Sequence, residues 1–341
     1  MTQTPTSLKN TAPAASFLAR YGHSDAALIA LPSDASPRSY VRLKGADRLL
    51  MEDHTDPVGF AAFIRLARHL TSLGLSAPHV FGADPDTGLA LIEDFGMATY
   101  GKLLAAGHDE VALYELAIDT LVHLHTHPQA TAVAVPAYDM DVLLQEITIF
   151  SEWFVPIVAP QLDIARFDAA FRDLWRKGLA PVIEAPKALV LRDFHIDNLM
   201  LLTGRKGVQA CGLLDFQDGV LGAAEYDLMS LLQDARRDLA PGLETAMLDR
   251  YLAAIPATCG APDEIMKRYH LLAAQRHTRI VGLFPRLNIR DGKTGYLQFM
   301  PRVMQQMQTA LIDAGLCEIA DFLDTNLPGW RDASAAMAQQ T

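Results

Sequence analysis

Cysteine is scarce in this chain: there are three in 341 residues, Cys211, Cys259 and Cys317, and none shares CxxC spacing with another. Such a set predicts neither a disulfide framework nor a zinc knuckle, and it fits a reducing cytoplasm. No stretch approaches the ~18 apolar residues that span a bilayer, and the first 16 residues lack the apolar core of a signal peptide. We therefore expect a cytoplasmic protein without membrane contact.

Basic residues are too few to balance the acidic ones. The chain has 29 Lys and Arg against 40 Asp and Glu, which gives a formal net charge of −11. This balance argues against a nucleic-acid partner, because such partners select basic surfaces. It is compatible with a cationic ligand such as an aminoglycoside, although a net negative charge also serves solubility alone.

The first part of the chain alternates strand and helix patterns. Ser39–Lys44 and Arg48–Glu52 predict a strand pair around a Gly45 turn, and Asp56 before a proline predicts the start of an amphipathic helix. Two further runs, His79–Phe81 and Leu89–Glu93, predict another strand pair. We expect a small α+β unit with an antiparallel sheet and one main helix.

Helical patterns dominate the rest of the chain, as in 109–125, 140–154 and 163–176. Short strand-like runs interrupt them only around 188–215. The sequence thus predicts two lobes, residues 1–96 as a nucleotide-binding lobe and residues 97–341 as a larger, mostly helical catalytic and substrate-binding lobe.

Three polar residues flank the strand-like runs at 188–215. Asp193 and Asn198 are five positions apart between two apolar runs, and a TGRKG turn returns the chain to Asp215 in LLDFQDG. Hairpin pairing is expected to bring Asp215 close to Asn198. Carboxylate and amide oxygens suit Mg²⁺, and Asp193 can then accept a hydroxyl proton. This is the spacing of kinases, D-x-x-x-x-N followed by a metal-binding aspartate.

The segments LVLRDFHIDNLML and GLLDFQDGVLGAAEYDLMSLL resemble the aminoglycoside phosphotransferase superfamily, whose pattern is HGDxHxxN and then a D-[FW] motif. The resemblance implies a two-lobed protein-kinase-like fold, ATP as phosphoryl donor and Mg²⁺ held by Asn198 and Asp215. It implies that Asp193 is catalytic and that His195 and Asp227 support the catalytic loop. One position departs from the pattern, because residue 192 is arginine where the superfamily usually has glycine.

A closer resemblance covers nearly the whole chain and concerns the anomeric kinases of bacterial cell-wall recycling, which phosphorylate N-acetylmuramate and N-acetylglucosamine at C1. The matching motifs are DASPRSY at 34–40, LRDFHIDN at 191–198, LLDFQD at 213–218, SLLQDARR at 230–237 and RDGK at 290–293. The resemblance implies an amino-sugar substrate, bound by residues of the last two motifs and their surroundings: Asp234, Arg237, Arg286, Arg290 and Lys293. Positive charge there suits the lactyl carboxylate of N-acetylmuramate.

The strand that carries a phosphate-pairing lysine in kinases reads RLLMED here, with Met51 near the lysine position. Arg38 or Arg42 is predicted to supply the missing charge to the nucleotide phosphates. The loop before them contains no glycine, so Ser36 is expected to contact phosphate. The remaining nucleotide contacts are expected at a hinge, residues 93–96, through Glu93 and Phe95.

Three alternatives to an anomeric sugar kinase remain open at this point. In the first, the acceptor is an aminoglycoside or another small alcohol. In the second, the chain is a nucleotide-binding pseudokinase that lost turnover together with its lysine. In the third, the same carboxylates serve a metal-dependent hydrolase. Retention of all three catalytic polar residues argues against the pseudokinase. A monomer is expected, and the choice between ATP and GTP stays open.

Overall fold

The computed structural model describes residues 12–32 and 38–338. Its strands are β1 (Leu28–Ala30), β2 (Ser39–Leu43), β3 (Arg48–Glu52), β4 (Val80–Asp84), β5 (Leu89–Glu93), β6 (Lys187–Val190), β7 (Leu199–Leu201), β8 (Cys211–Leu213) and β9 (Val220–Ala223). Its α-helices are α1 (Ala12–Arg20), α2 (Pro57–Ser72), α3 (Tyr100–Ala105), α4 (Glu110–Thr126), α5 (Met140–Ile149), α6 (Val155–Val158), α7 (Ile164–Gly178), α8 (Ala180–Ile183), α9 (Glu225–Leu232), α10 (Leu243–Ala254), α11 (Pro262–Asp291), α12 (Met300–Asp313), α13 (Cys317–Asn326) and α14 (Ala333–Ala338).

The chain folds as two compact units. The first contains the described residues up to Val135 together with Ile196–Gly219, and the second contains Pro136–His195 and the described residues from Val220 onward. The lobes proposed for residues 1–96 and 97–341 stay a prediction. None of the described helices is long and apolar enough to cross a membrane.

The first unit is built on a five-stranded antiparallel sheet of order β1-β2-β3-β5-β4. Because side chains alternate along a strand, Val41, Leu50 and Leu91 share one face, where they pack with Phe17 of α1. Residues of the other face include Met51, which pairs with Tyr40 of β2 and Ala90 of β5. The sequence prediction of this sheet was correct for β2, β3 and β5, while α1 and β1 were not predicted.

Helix α2 begins where the sequence predicts. The Asp56 side chain accepts a hydrogen bond from the Gly59 N–H at 2.8 Å, and Pro57 occupies the first turn. An aspartate cap satisfies an N–H group that has no partner within the helix, and proline there loses no helical hydrogen bond. The apolar face of α2, including Phe63, is buried.

Strands β7 and β8 form an antiparallel hairpin in the first unit, with Leu199 paired to Leu213 and Leu201 to Cys211. A 3₁₀ turn at Gly207–Ala210 lies between them. This is the hairpin that the TGRKG turn predicts.

The second unit is mostly helical. Strands β6 and β9 pair antiparallel, from Lys187 opposite Ala223 to Val190 opposite Val220. The central helix α11 runs for 30 residues, and its backbone approaches a π-helical turn, Phe150–Phe154, that follows α5. A methyl group at Gly282 of α11 would lie 2.5 Å from the carbonyl carbon of Ile149. Glycine is therefore required where these two helices cross.

Candidate active site

The β7–β8 hairpin brings Asn198 and Asp215 together in the first unit. The Asn198 carbonyl accepts a backbone hydrogen bond from Leu214 at 2.9 Å, and its side-chain amide lies 3.4 Å from Oδ2 of Asp215. Asp215 has φ +56°, a left-handed conformation that non-glycine residues rarely adopt and that is concentrated at functional sites. The pair supplies amide and carboxylate oxygens, the donors that Mg²⁺ prefers.

A hydrogen-bonded chain connects Asp215 to the strand β2 side of the first unit. Gln217 donates to Oδ1 of Asp215 at 2.7 Å and accepts from Nη1 of Arg38 at 3.1 Å. Arg38 also donates from Nε to Asp53 at 3.0 Å. The sequence did not identify Gln217 or Asp53 as site residues. Gln217 lies in the LLDFQD motif of Asp215, and Asp53 lies in the RLLMED segment of Met51.

Arg42, the other candidate for the missing charge, is paired elsewhere. Its guanidinium forms a bidentate ion pair with Asp94, just after β5, and reaches the carbonyl of Gly96 at 3.4 Å. The hydrogen bond to Asp94 raises the pKa of Arg42 further. Met51 itself is fully buried. Of the two arginines, Arg38 is therefore the one connected to Asp215.

The predicted nucleotide contacts at the hinge are held by Arg205. Its guanidinium forms an ion pair with Glu93, donates to Oγ of Ser76 at 2.6 Å and lies 5.3 Å from the ring centre of Phe95. The Glu93 side chain also lies 3.3 Å from the backbone N–H of His79. Ser36 lies outside the described residues.

In the second unit, the loop that carries Asp193 is held by Asp227. This fully buried carboxylate accepts hydrogen bonds from the backbone N–H groups of Leu191 at 2.6 Å and Arg192 at 2.9 Å. Burial raises the pKa of Asp227 to about 7, while the two N–H donors favour its ionised form. Arg192 has φ +69°, which explains why glycine is usual at this position of the motif.

Asp193 lines a cavity of about 130 Å³ within the second unit. Around it are His195 and Asp234, both singled out in the sequence, and three arginines that were not: Arg236, Arg276 and Arg279. Burial and the nearby Arg236 lower the pKa of His195, which keeps its imidazole neutral. Asp234 is buried and accepts a backbone hydrogen bond from Arg236 at 2.9 Å.

The four basic residues that the sequence predicts to bind substrate do not line the Asp193 cavity and lie elsewhere in the second unit. Arg237 lines a different cavity of about 440 Å³ beside Asp238 and Arg302. Arg290 is exposed and forms a bidentate ion pair with Asp291 at the end of α11. Arg286 and Lys293 lie at the same end of the helix and are half-buried. Arg276 and Arg279, which line the Asp193 cavity, are three residues apart on one face of α11, a spacing that by itself does not mark a site.

Comparison with known proteins places the chain in a family. Residues 27–262 match the model of the phosphotransferase enzyme family. The chain is 36% identical to an N-acetylmuramate/N-acetylglucosamine kinase of Caulobacter vibrioides, over 92% of this chain and 96% of that protein. It is 31% identical to a protein of the same name from Neisseria meningitidis, over 84% of this chain and 86% of that one.

Solved structures with a similar fold include aminoglycoside phosphotransferases. An ADP-bound aminoglycoside phosphotransferase superposes with a TM-score of 0.57 at 15% identity, covering 87% of this chain and 98% of that one. At this identity the likeness concerns the fold, and it confirms the predicted two-lobed, protein-kinase-like α+β architecture. Motifs, fold and relatives agree, and the chain belongs to the phosphotransferase enzyme family.

Proposed function

We propose that this protein is an ATP- and Mg²⁺-dependent kinase that phosphorylates the C1 hydroxyl of N-acetylmuramate or N-acetylglucosamine. The observation that carries the proposal is the 36% identity, over 92% of the chain, to a relative named for these two sugars. The retained Asp193, Asn198 and Asp215 support turnover rather than nucleotide binding alone.

Asp193 is the residue that we assign as the catalytic base. Its carboxylate lines the cavity that would hold the sugar and accepts the proton of the C1 hydroxyl. The C1 oxygen then bonds to the γ-phosphorus of ATP, and the bond from that phosphorus to the β,γ-bridging oxygen breaks to leave ADP. An anomeric hydroxyl is more acidic than an ordinary alcohol, so one carboxylate suffices as base.

The donor set fits Mg²⁺. Asn198 and Asp215 offer two oxygen ligands within one hairpin, and across residues 12–32 and 38–338 no group of three or more His, Cys, Asp or Glu is arranged to hold a metal. Mg²⁺ is commonly held through one or two protein oxygens, with phosphates and water completing its shell. When bound, it would neutralise charge on the phosphates.

Arg38 is the residue we assign to the phosphate-pairing role of the missing lysine, because its guanidinium is joined to Asp215 through Gln217. Ser36, Arg42, Glu93 and Phe95 complete the proposed nucleotide site. We also propose that the protein is a monomer and that residues 1–96 form the nucleotide-binding lobe.

An aminoglycoside acceptor is disfavoured by the charge of the Asp193 cavity. Three arginines line it, and a polycationic acceptor would be repelled by them despite the net negative charge of the chain. The acidic composition noted in the sequence therefore says little about the acceptor.

An acceptor panel tests the proposal. The purified protein is incubated with Mg²⁺-ATP and N-acetylmuramate, N-acetylglucosamine, their methyl glycosides, kanamycin or no acceptor, and ³¹P NMR locates the phosphate. We expect product phosphorylated at C1 from the two free sugars, and none from the methyl glycosides, in which C1 is blocked. Phosphate at C6, or kanamycin as the best acceptor, would overturn the assignment. Equal ADP release without acceptor would identify a hydrolase, and no turnover at all a pseudokinase.

A further inference from the structure

The walls of the Asp193 cavity carry more positive than negative charge. Asp193 and Asp234 face Arg236, Arg276 and Arg279 in a space of about 130 Å³, and His195 in the same wall is neutral. A neutral sugar has hydroxyl and amide groups only, and it needs no such excess of guanidinium groups. The composition of the wall therefore bears on which acceptor the site selects.

Arg279 forms an ion pair within the protein, with Glu146. Glu146 accepts from Arg192 at 2.5 Å and lies 3.3 Å from Nη1 of Arg279. Its other oxygen accepts from the hydroxyl of Tyr138 at 2.6 Å and from the amide of Gln275 at 3.2 Å. One buried carboxylate thus serves two arginines, and its hydrogen-bonding capacity is used within the protein.

Arg276 lies one helical turn from Arg279. Among the residues that the structure describes, the buried Nη1 atom of Arg276 has no hydrogen-bond partner, whereas Nη1 of Arg279 contacts Glu146 and its Nε lacks a partner. Buried donors are almost always paired in folded proteins, so a buried guanidinium nitrogen beside a cavity indicates a ligand that completes it.

Counting charges gives the sign of that ligand. Among the residues that line the cavity, Arg236, Arg276 and Arg279 carry three positive charges, and Asp193 and Asp234 carry two negative ones. The difference is one positive charge, which a single carboxylate would neutralise. The planar fork of arginine binds a carboxylate through two parallel hydrogen bonds.

We infer that Arg276, assisted by Arg236, binds a carboxylate of the acceptor sugar while Asp193 faces its reacting hydroxyl, so that the site selects an acidic amino sugar over a neutral one. The inference rests on the proposed function and deepens it: of the two proposed acceptors, only N-acetylmuramate carries a carboxylate. It assigns the carboxylate contact to Arg276 and Arg236 in the cavity wall. Arg286, Arg290 and Lys293, which the sequence predicts for this role, are then not needed for it.

Steady-state kinetics with both sugars separate this role from general damage. For Arg276→Gln we expect kcat/KM for N-acetylmuramate to fall about 10- to 100-fold, while kcat/KM for N-acetylglucosamine changes less than about 3-fold, because only one substrate loses an ionic contact. Arg276→Lys keeps the charge without the fork and should lie between. Arg166→Gln, an exposed arginine on α7, is the matched control and should behave as wild type.

Calorimetric titration tests the carboxylate contact without turnover. Wild-type protein should bind N-acetylmuramate about 10-fold more tightly than its uncharged methyl ester, and Arg276→Gln should remove that difference. Equal binding of acid and ester by the wild type, or equal losses with both sugars in Arg276→Gln, would overturn the inference. An increased ATP KM with unchanged sugar preference would also overturn it, because the arginine would then serve phosphate.

The two experiments also separate this inference from the function on which it rests. Turnover of N-acetylglucosamine without preference for the acid would leave the kinase assignment intact and remove the carboxylate subsite. Selective binding of the acid without phosphoryl transfer would support the subsite and reject the kinase assignment.

Discussion

Arg38 and Asp53 form a buried ion pair, with Nε of the arginine 3.0 Å from Oδ2 of the aspartate and the two side chains 9% and 2% exposed. Burying two charges is costly, and such pairs often add little net stability. Arg38 of this pair also donates a hydrogen bond to Gln217, which in turn donates to Asp215. A role toward the nucleotide therefore explains the buried pair better than stability does.

The first prediction follows from this pair. Arg38→Ala should raise the ATP KM about 10-fold or more, because one charged contact to phosphate is lost. Arg42→Ala should raise it less, since Arg42 is already paired with Asp94, and Met51→Leu should leave it nearly unchanged. Steady-state kinetics at saturating sugar measure all three. An effect of Met51→Leu as large as that of Arg38→Ala would reject the assignment.

A control for folding is available at the same pair. Arg38→Ala leaves Asp53 buried without its arginine and should cost about 3–5 kcal/mol of stability, whereas Arg38→Met combined with Asp53→Leu should recover much of it. The double variant should remain poor in ATP use. Recovery of a normal ATP KM together with stability would mean that the pair is structural only.

Asp193→Asn should abolish phosphoryl transfer and leave Mg²⁺-ATP binding nearly intact, because a base acts on the acceptor and not on the nucleotide. Initial rates and calorimetric titration with a non-hydrolysable ATP analogue give the two quantities. Asp173→Asn changes an exposed aspartate of α7 in the same unit and should be silent. Residual kcat above about one tenth of wild type would exclude Asp193 as the base.

Asp215→Asn should increase the Mg²⁺ concentration needed for half-maximal activity by about 10-fold or more, since an amide replaces a charged oxygen ligand. Asparagine is chosen because it adopts the φ of +56° found here at a lower cost than alanine. Chelation with EDTA should stop the wild-type reaction. Mg²⁺ dependence identical to that of wild type would remove Asp215 from the metal site.

Arg192 gives a prediction about stability. Its φ of +69° favours glycine, but its side chain forms the 2.5 Å ion pair with the largely buried Glu146. Arg192→Gly and Arg192→Ala should both be less stable than wild type, and the glycine variant should be the more stable of the two by about 1 kcal/mol. Chemical denaturation measures the difference. If the alanine variant is the more stable of the two, the left-handed conformation does not determine which residue is preferred at position 192.

The local parts of the candidate site were predictable from the sequence, and the long-range parts were not. Asn198 and Asp215 are joined by a short turn, so hairpin pairing alone predicts that they meet. Arg38 and Gln217 are 179 positions apart, and no local pattern relates them. A hydrogen bond of this kind depends on how the hairpin packs on the sheet, which periodicity does not encode.

The substrate side of the site shows the same limit. Arg276 and Arg279 have the spacing of an ordinary polar face of a helix, and nothing local distinguishes them from the exposed Arg290 on the same helix. Burial makes the difference, and burial follows from the packing of α11 against α5 and α9. The missed elements α1, β1 and β9 are short, and β9 lies beyond the strand-like runs predicted around 188–215.

The close approach at Gly282 has a consequence for attempts to broaden the acceptor range by random mutagenesis. The position lies one turn beyond Arg279, and a side chain there would collide with the backbone at Ile149, displacing the helix that carries Arg276 and Arg279. Active clones should therefore retain glycine at 282 even though this residue does not line the cavity. Libraries that fix this position and vary 236 and 276 would place their diversity where acceptor choice is made.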